Sequence, residues 1–421
     1  MKKLWLFIIS CFCLWLFPTQ VQADEQMVSV KLVNYIQNTS EMNIKLKGDY
    51  LTLSPTLKLK EGVKYKLIVK QGELYIKDSS GRKKIPGSFT LIPESYDQNL
   101  IYINDRPYQG AMDFTIENEK YIRPINQLHL EDYLKGVVPF EVFSEWDLEA
   151  LKAQSLAART YALMHLNGEQ QMDDTIKFQV YGGFSTFERT NQAVEETKGE
   201  IITHNGKPIH AFYSASNGGH TESNGNAWGG SDISYYPIKP DPYDPKEPWE
   251  ITLHKQQLPT EYFLFAWEFP GIWKHFEEKN KEITANIKSW LQSQGYQNTK
   301  ILSIPHFSIS NQQTESGRSI NGSITIRFMY QLPGNFVLMD QISLDDVPLT
   351  KIRPMIGGSI FRSYLITSFD SSGSAYQMKG NGYGHGVGMS QWGAQQMARA
   401  GKSYKQIIQF YFPGTKISSV N

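Results

Sequence analysis

The residues that could carry chemistry fall in three segments, and the first holds a carboxylate in an apolar setting. Glu141 follows Pro139 in the segment VVPFEVFSEW. Its nearest apolar neighbours in sequence are Phe140, Val142, Phe143 and Trp146. If such side chains desolvate the carboxyl group, its pKa rises and it becomes a usable general acid near neutral pH. A solvent-exposed loop glutamate is the alternative, and Glu145 is an equal competitor on sequence alone.

A second candidate site is the glycine-rich segment GYGHGVGMSQWGAQQMA at 382–398. Five of its first twelve residues are glycines, which flank His385. Because glycine permits positive φ angles and close approach of the backbone to a ligand, we predict a loop that places His385 in a cleft. Ser390 is placed to cap a helix that starts near Gln391. A tight structural turn is the alternative, whereas a phosphate-binding loop is excluded because the Lys-Ser/Thr pair is absent.

The third candidate is YSASNGGHTESNGNAWGG at 213–230, which is dense in small polar residues around His220, Glu222 and Trp228. Hydroxyl and amide side chains suit the hydroxyl groups of a sugar, and an aromatic face suits its ring. The segment therefore predicts a carbohydrate site. His220 and Glu222 also leave metal binding open, although two ligands of this kind are weak evidence for it.

Composition excludes some classes of function. The chain has 421 residues with 42 Lys and Arg against 42 Asp and Glu. The resulting net charge of zero indicates no particular partner, and a nucleic-acid binder is usually more basic. The sequence contains neither the G-x-S-x-G motif of serine hydrolases nor the H-E-x-x-H motif of zinc proteases.

The N-terminus has the pattern of a secretory signal peptide. Two lysines precede a mostly apolar run at 4–17, and the small-residue ending VQA closes at Ala23. We predict a signal peptide over 1–23, with an uncleaved anchor and a lipoprotein cleavage box as alternatives. Cys11 and Cys13 are the two cysteines of the chain, so cleavage removes every disulfide, thiolate nucleophile and thiolate zinc ligand.

The candidate segments need elements that position them, and the sequence predicts a mixed α/β fold of the α+β class. Over 27–120, runs such as VSVKLV and YKLIVK alternate with turn-formers, which indicates a β-rich N-terminal module. Over 121–421 we predict a domain of helices packed on a sheet, with a long helix capped by Asp147. HNGK at 204–207 predicts a hairpin tip. A tryptophan-bearing helical insertion over 255–300 should project from this domain.

Together these segments resemble the SpoIID/LytB family of cell-wall proteins. LHLEDYLKGVVPFEV followed by EALKAQSLAARTYAL is similar to the N-terminal signature of that family. QVYGG, AFYSASNGGHTES, SGR and GYGHGVGMSQWGAQQMARAGKSYKQIIQFYFPGT follow in the family's order. The resemblance covers most of the chain, from about Val28 to Ile417.

The resemblance implies two activities of different classes. SpoIID-type members are lytic transglycosylases that cut peptidoglycan glycan strands, preferably where stem peptides have been removed, whereas LytB-type members are described as enhancers of an N-acetylmuramoyl-L-alanine amidase. The family's catalytic glutamate falls on Glu141, although Phe140 and Val142 stand where a small residue and Met are usual. Some members hold zinc through Cys and His. Because the mature chain has no cysteine, we expect no zinc and no other cofactor.

On this resemblance we assign Glu141 as the acid and base of a lytic transglycosylase that holds no metal. The expected partners are glycan strands of peptidoglycan and a wall amidase, with no nucleic acid. We expect a secreted protein in the cell wall or at the outer face of the membrane. Substrate positioning is assigned to eight further residues. These are Tyr383, His385, Ser390 and Gln391 in the glycine-rich segment, and Ser214, Ser216, His220 and Glu222 across the cleft.

Two other functions stay open on the sequence. One is a non-catalytic wall-binding protein that recruits or stimulates an amidase. The other is a metal-dependent hydrolase that uses His220, Glu222 and His385.

Overall fold

The computed structural model describes residues 26–53, 57–87, 89–166, 171–259, 261–262 and 270–419. The predicted signal peptide at 1–23, with both cysteines, lies outside these ranges. Among the described residues, no helix is both long enough and apolar enough to cross a membrane. Helices and several sheets share the chain, so the predicted α+β class is confirmed.

Short strands with alternating buried and exposed side chains form the N-terminal part of the molecule. They are β1 Met27–Lys31, β2 Glu41–Lys47, β3 Tyr50–Thr52, β4 Lys64–Lys70, β5 Glu73–Asp78, β6 Gly81–Ile85, β7 Phe89–Pro93, β8 Leu100–Ile103, β9 Arg106–Gln109, β10 Ala111–Glu117 and β11 Tyr121–His129. One sheet contains β1, β11, β10, β7 and β3 in that order, and the other contains β6, β5, β4, β2, β8 and β9. Their buried faces share one hydrophobic core. The boundary predicted at 120 falls in the turn between β10 and β11, so this sheet continues to His129.

Four helices follow β11 and pack on the same core. They are α1 Leu130–Lys135, α2 Val138–Glu141, α3 Leu148–Leu166 and α4 Glu188–Glu196. Helix α3 begins directly after Asp147, as predicted, and nearly all its residues from Ala150 to Leu163 are buried. The Asp147 carboxylate accepts a hydrogen bond from the side chain of Gln395, 2.9 Å away. Helix α3 is thus a central helix that is buried on most sides. The short helix α2, which ends at Glu141, packs on it.

Short strands continue the chain beyond α3. They are β12 Met172–Asp173, β13 Glu200–His204, β14 Lys207–Pro208 and β15 Tyr213–Ser214, followed by helix α5 Asn224–Trp228. The predicted hairpin tip is confirmed, because His204 pairs with Lys207 and both Asn205 and Gly206 have positive φ. Strand β12 pairs with β1 in parallel.

Residues 249–380 form a second body with its own hydrophobic core, here called the inserted unit. Its elements are β16 Trp249–His254, a 3-10 helix Pro270–His275, α6 Lys281–Ser293, β17 Thr299–Ile309, β18 Asn321–Gln331, β19 Val337–Pro348, α7 Leu349–Ile356, β20 Ile366–Asp370 and β21 Ala375–Gly380. Helix α6 lies in the segment 255–300 where we predicted a projecting helical insertion. Whether the insertion projects stays a prediction, while α6 itself packs on β17 and α7 inside the larger unit.

The described residues before 249 and after 380 are here called the first body, and the chain returns to it after β21. Its last elements are β22 Met389–Ser390, α8 Gln391–Arg399, α9 Tyr404–Tyr411 and β23 Lys416–Ser419. Strand β22 pairs in parallel with β15, and β23 pairs with β13. Helices α8 and α9 pack on α3. The parallel pair of β15 and β22 brings the second and third candidate segments side by side.

Candidate functional site

A cavity of about 1240 Å³ lies between the first body and the inserted unit. Glu141, Tyr213 and Gln391 line it from the first body, and Arg318 and Arg353 line it from the inserted unit. A cavity between two bodies is a common place for a ligand site. The chemistry available there depends on the state of its titratable groups.

Glu141 is the last residue of α2 and points into this cavity. Its Oε1 accepts a hydrogen bond from the backbone N–H of Val180, with 2.8 Å between the two atoms. Burial raises the pKa of Glu141 to about 7, while hydrogen bonds from Val180 and the side chain of Gln391 oppose that rise. The carboxyl group is thus held near the midpoint of its titration at neutral pH, which suits a group that must both give and take a proton.

Three tyrosines surround Glu141 closely enough for its charge to act on them. Burial is the main cause of the raised pKa of Tyr133, Tyr161 and Tyr213, and the negative charge of Glu141 adds to it. For Tyr161 the pKa reaches about 12. The hydroxyl of Tyr213 accepts a hydrogen bond from Nε2 of the buried Gln179, 2.9 Å away. These phenols stay neutral at physiological pH and contribute polar but uncharged surroundings.

The apolar sequence neighbours of Glu141 differ in their exposure to solvent. Val142 and Trp146 are buried, whereas Phe143 is 60% exposed. Its ring packs against Trp146 and Trp392, with centroids 5.8 and 5.9 Å away. The hydrogen bonds to the Glu141 carboxyl group come from Val180 and Gln391, which are distant in sequence.

The glycine-rich segment forms a loop that requires its glycines, as predicted. Gly384 and Gly386 have positive φ. A Cβ on Gly384 would lie 2.5 Å from Cβ of Ser214, and one on Gly386 would lie 2.0 Å from Nη2 of Arg318. The loop places His385 in the cavity wall. Larger residues at these glycines would push the loop away from both walls.

His385 is a neutral imidazole in this setting. Its Nδ1 accepts a hydrogen bond from the backbone N–H of Val387 at 3.0 Å. Burial lowers the pKa of His385 to about 4, the positive charge of Arg318 lowers it further, and a hydrogen bond with the backbone of Tyr213 opposes both. Since it is uncharged at neutral pH, His385 can orient a ligand by hydrogen bonding but cannot act as an acid there.

Ser214 and Ser390 sit in register on the paired strands β15 and β22. The Ser214 hydroxyl is buried at the cavity wall and has no hydrogen-bond partner among the described residues. Ser390 caps α8, as predicted, by accepting a hydrogen bond from the N–H of Gly393 at 3.0 Å. Its own hydroxyl donates to Asp244, 2.6 Å away. Ser214 is therefore the hydroxyl available to a ligand, and Ser390 is engaged in the scaffold.

Glu222, the second carboxylate of the cavity wall, is saturated with hydrogen bonds. Its Oε1 accepts from Ser223 N–H at 2.8 Å and from Asn226 Nδ2 at 2.9 Å. Its Oε2 accepts from Thr314 Oγ1 at 2.7 Å and from Ser316 Oγ at 2.6 Å. Because the last two residues belong to the inserted unit, Glu222 joins the two bodies.

The structure brings together six of the nine predicted site residues at this cavity. They are Glu141, Ser214, Glu222, Tyr383, His385 and Gln391. Ser216 and Ser390 are buried beside the cavity, and both donate to Asp244. His220 is exposed and does not line the cavity. The roles assigned to these residues stay predictions.

Several important residues were missed on the sequence. Asp244 accepts hydrogen bonds from Ser216, Ser390 and two backbone N–H groups, and so fixes β15 against the start of α8. The sequence indicates Arg318 only as part of the SGR motif and does not indicate Arg353. Nothing local distinguishes an arginine in a helix such as α7 from a surface residue, so only the tertiary arrangement shows that it lines a cavity.

The metal-dependent hydrolase would need His220, Glu222 and His385 to lie together. Across the ranges that the structure describes, no three His, Cys, Asp or Glu side chains form a candidate metal site. His220 is exposed outside the cavity that Glu222 and His385 line. The expectation of no cofactor stays a prediction.

Known proteins resemble this chain over most of its length. A model of the SpoIID family, described as "Stage II sporulation protein", matches residues 118–204, a range that includes Glu141. The chain is 37% identical over 391 residues to the "Amidase enhancer" of Bacillus subtilis (strain 168), which covers 92% of this chain and 54% of that protein. It therefore spans about half the length of this relative.

Two other relatives are covered more fully. The chain is 29% identical over 317 residues to "Stage II sporulation protein D" of Bacillus amyloliquefaciens, which covers 70% of this chain and 76% of the relative. It is 32% identical over 334 residues to an uncharacterized protein of Brachyspira hyodysenteriae, which covers 77% of this chain and 76% of the relative.

Proposed function

Because this chain belongs to the SpoIID/LytB family of cell-wall proteins, we propose that it cleaves peptidoglycan glycan strands as a lytic transglycosylase. The single observation that carries the proposal is Glu141, a carboxyl group with a pKa of about 7 in the wall of a large cavity. A secreted protein in the cell wall or at the outer face of the membrane would meet this substrate.

The proposed reaction uses one carboxyl group twice. Protonated Glu141 gives its proton to the glycosidic oxygen between N-acetylmuramic acid and N-acetylglucosamine, and the C1–O bond breaks with its electron pair going to that oxygen. The Glu141 carboxylate then takes the proton of the 6-hydroxyl of the same muramic acid while O6 bonds to C1. The products are a 1,6-anhydro end and a free 4-hydroxyl, and Glu141 is again protonated.

This mechanism fits a cavity with one available carboxyl group. Hydrolysis of a glycoside normally uses two carboxylates that flank the scissile bond. Glu141 and Glu222 are the carboxylates in the cavity wall, and Glu222 already accepts four hydrogen bonds. An internal hydroxyl replaces the activated water, and its proximity supplies the entropic advantage. Neutral His385 and the unpartnered hydroxyl of Ser214 are positioned to orient the sugar.

The test is a cleavage assay on purified, peptide-free glycan strands. We expect 1,6-anhydro-muramoyl ends in the mass spectrum, and a loss of about 10²- to 10⁴-fold in rate in Glu141→Gln. The matched control is Glu145→Gln, an exposed glutamate four residues away that should leave the rate unchanged. Anhydro ends that persist in Glu141→Gln, or that never form, would overturn the assignment.

A second candidate function is enhancement of a wall amidase without catalysis, and the name of the Bacillus subtilis relative favours it. The partner would be an N-acetylmuramoyl-L-alanine amidase. The discriminating measurement is release of stem peptides by such an amidase in the presence of either wild-type protein or Glu141→Gln. Equal stimulation by both proteins, with no anhydro ends, would favour the enhancer over the transglycosylase.

A further inference from the structure

The two walls of the cavity differ in chemical character. Aromatic rings line the first body, where Phe212 and Trp228 have centroids 4.6 Å apart and Trp228 is 53% exposed. The Trp228 ring also lies 5.0 Å from that of His385. Guanidinium groups of Arg318 and Arg353 line the inserted unit. An aromatic wall suits the ring of a sugar, and a cationic wall suits a negatively charged substituent on it.

Arg353 is a cation that neutral carbonyl groups hold in place. Its Nε donates to the carbonyl of Phe361 at 2.6 Å, and its Nη2 donates to the carbonyls of Gly358 and Arg362, both at 3.1 Å. Its guanidinium carbon lies 5.9 Å from the ring centroid of Tyr364. Within the described part of the chain, no carboxylate forms an ion pair with Arg353. Neutral carbonyls thus fix its orientation and leave its charge uncompensated.

Arg318, which lines the same wall, is a second and buried cation. Its Nη1 donates to Ser316 Oγ at 2.8 Å, and Ser316 donates in turn to Glu222, which connects Arg318 to a negative charge. Its Nη2 donates to the carbonyls of Asn217 and His220. The Nε of Arg318 is buried and has no partner among the described residues.

The charges of the cavity wall do not balance. Arg318 and Arg353 of the inserted unit and the exposed Lys177 of the first body line the same cavity as Glu141 and Glu222. When Glu141 is protonated, as the first step of the proposed reaction requires, Glu222 alone carries negative charge. The cavity then has a net excess of positive charge, and a ligand with one negative group would reduce it.

We propose that Arg353, supported by Arg318, binds a carboxylate carried on the sugar in this cavity, so that the cavity selects acidic saccharides. The identity of the sugar as muramic acid rests on the proposed function, whereas the carboxylate site itself does not. Muramic acid carries its carboxylate on the 3-O-lactyl group, where an attached stem peptide converts it to a neutral amide. Arg353 would therefore distinguish a free lactyl group from a substituted one at the point of recognition.

The test compares two ligands that differ at one group. A peptide-free tetrasaccharide of alternating N-acetylglucosamine and N-acetylmuramic acid is used with its lactyl carboxylates free or converted to methylamides. Binding to the full-length Glu141→Gln protein, which should not turn them over, is measured by calorimetry. We expect the free acid to bind about ten- to a hundredfold more tightly. Equal affinity for the acid and the methylamide overturns the proposal.

Variants locate the preference on Arg353. Arg353→Gln in the Glu141→Gln background should make the two affinities equal, and Arg353→Lys should restore part of the difference because it keeps the charge. Arg327→Gln is the matched control, since Arg327 is exposed on β18 outside the cavity and should keep the full preference. A preference that survives Arg353→Gln would also overturn the proposal.

One measurement needs no arginine variant and covers the case in which Arg353→Gln does not fold. Salt screens attraction between charges, so raising the ionic strength from 0.05 to about 0.5 M should weaken binding of the acid and leave binding of the methylamide nearly unchanged. Salt dependence that is the same for both ligands argues against an ionic contact.

The outcomes separate this inference from the proposed reaction. If the protein prefers the acid but forms no anhydro ends, the transglycosylase assignment fails and the carboxylate site stands. If wild-type protein cleaves the acid and the methylamide at equal rates and binds them equally, the carboxylate site fails and the reaction stands.

Discussion

Two carboxylates face the same cavity, and their surroundings give them opposite properties. Glu222 accepts four hydrogen bonds, two of them from the inserted unit. Glu141 accepts hydrogen bonds from Val180 and Gln391, and burial raises its pKa to about 7. Four donors tie Glu222 to both walls of the cavity, whereas Glu141 has two donors and a raised pKa, so it keeps a proton to exchange near neutral pH.

The largest expected effect tests the structural side of this comparison. Glu222→Ala removes the acceptor of Thr314 and Ser316 and a negative charge that acts on Arg318, and should reduce the free energy of unfolding by about 3–5 kcal/mol. Unfolding in urea measures it. Glu315→Ala, an exposed neighbour of the same loop, should stay within about 0.5 kcal/mol of wild type. A loss below about 1 kcal/mol in Glu222→Ala would break the comparison.

The next effect tests the proton held by Glu141. Below about pH 4.5 the group is protonated in both the folded and the unfolded protein, so Glu141→Gln should change stability little. As the pH rises toward 7 the unfolded chain loses this proton first and folding weakens. At pH 8 glutamine, which cannot ionise, should therefore stabilise the protein by about 2–3 kcal/mol. Thermal unfolding from pH 4 to 8 measures the difference.

Glu145 supplies the control for that measurement, since its side chain is exposed. Glu145→Gln should give a stability curve parallel to that of wild type over the same pH range. If the curve of Glu141→Gln is also parallel to wild type, Glu141 does not have a raised pKa.

A smaller effect concerns the pH dependence of the proposed cleavage. Since the protonated form of Glu141 starts the reaction, kcat/KM should fall about tenfold for each pH unit above 7. His385, whose pKa is about 4, stays neutral from pH 5 to 8 and should add no second transition there. Initial rates on peptide-free glycan strands measure the profile. A rate that rises through pH 7 would contradict the acid role.

The smallest expected effect on stability concerns Ser214, a neutral group in the same cavity wall as the two carboxylates. Ser214→Ala removes a buried hydroxyl without a partner among the described residues, so the free energy of unfolding should change by less than about 0.5 kcal/mol while KM for glycan rises. Ser216→Ala removes a hydroxyl that donates to Asp244 and should cost more stability. Equal KM in Ser214→Ala and wild type would remove Ser214 from the substrate site.

Features set by neighbours in the chain could be predicted from the sequence. The strand alternation of the N-terminal part, the start of α3 after Asp147 and the cap at Ser390 depend on residues a few positions apart. The glycines around His385 were also informative, because a side chain at Gly384 would collide with Ser214 and one at Gly386 would collide with Arg318.

Features set by distant parts of the chain could not be predicted in this way. Asp244 turns Ser216 and Ser390 into scaffold residues, although both looked equivalent to Ser214. Phe143, a sequence neighbour of Glu141, is exposed and packs against Trp146 and the distant Trp392. The extent of the inserted unit depends on pairing between β16 and β21, which lie more than a hundred residues apart.

That pairing has a consequence for how such proteins can change. Trp249, the first residue of β16, lies opposite Gly380, the last residue of β21. The chain therefore leaves and re-enters the first body at one place, and the wall that carries Arg353 comes from one continuous stretch of the chain. Glu141 and the three tyrosines around it come from the stretch before Trp249. Sequence change within 249–380 can therefore alter the arginine wall without altering the residues that surround Glu141.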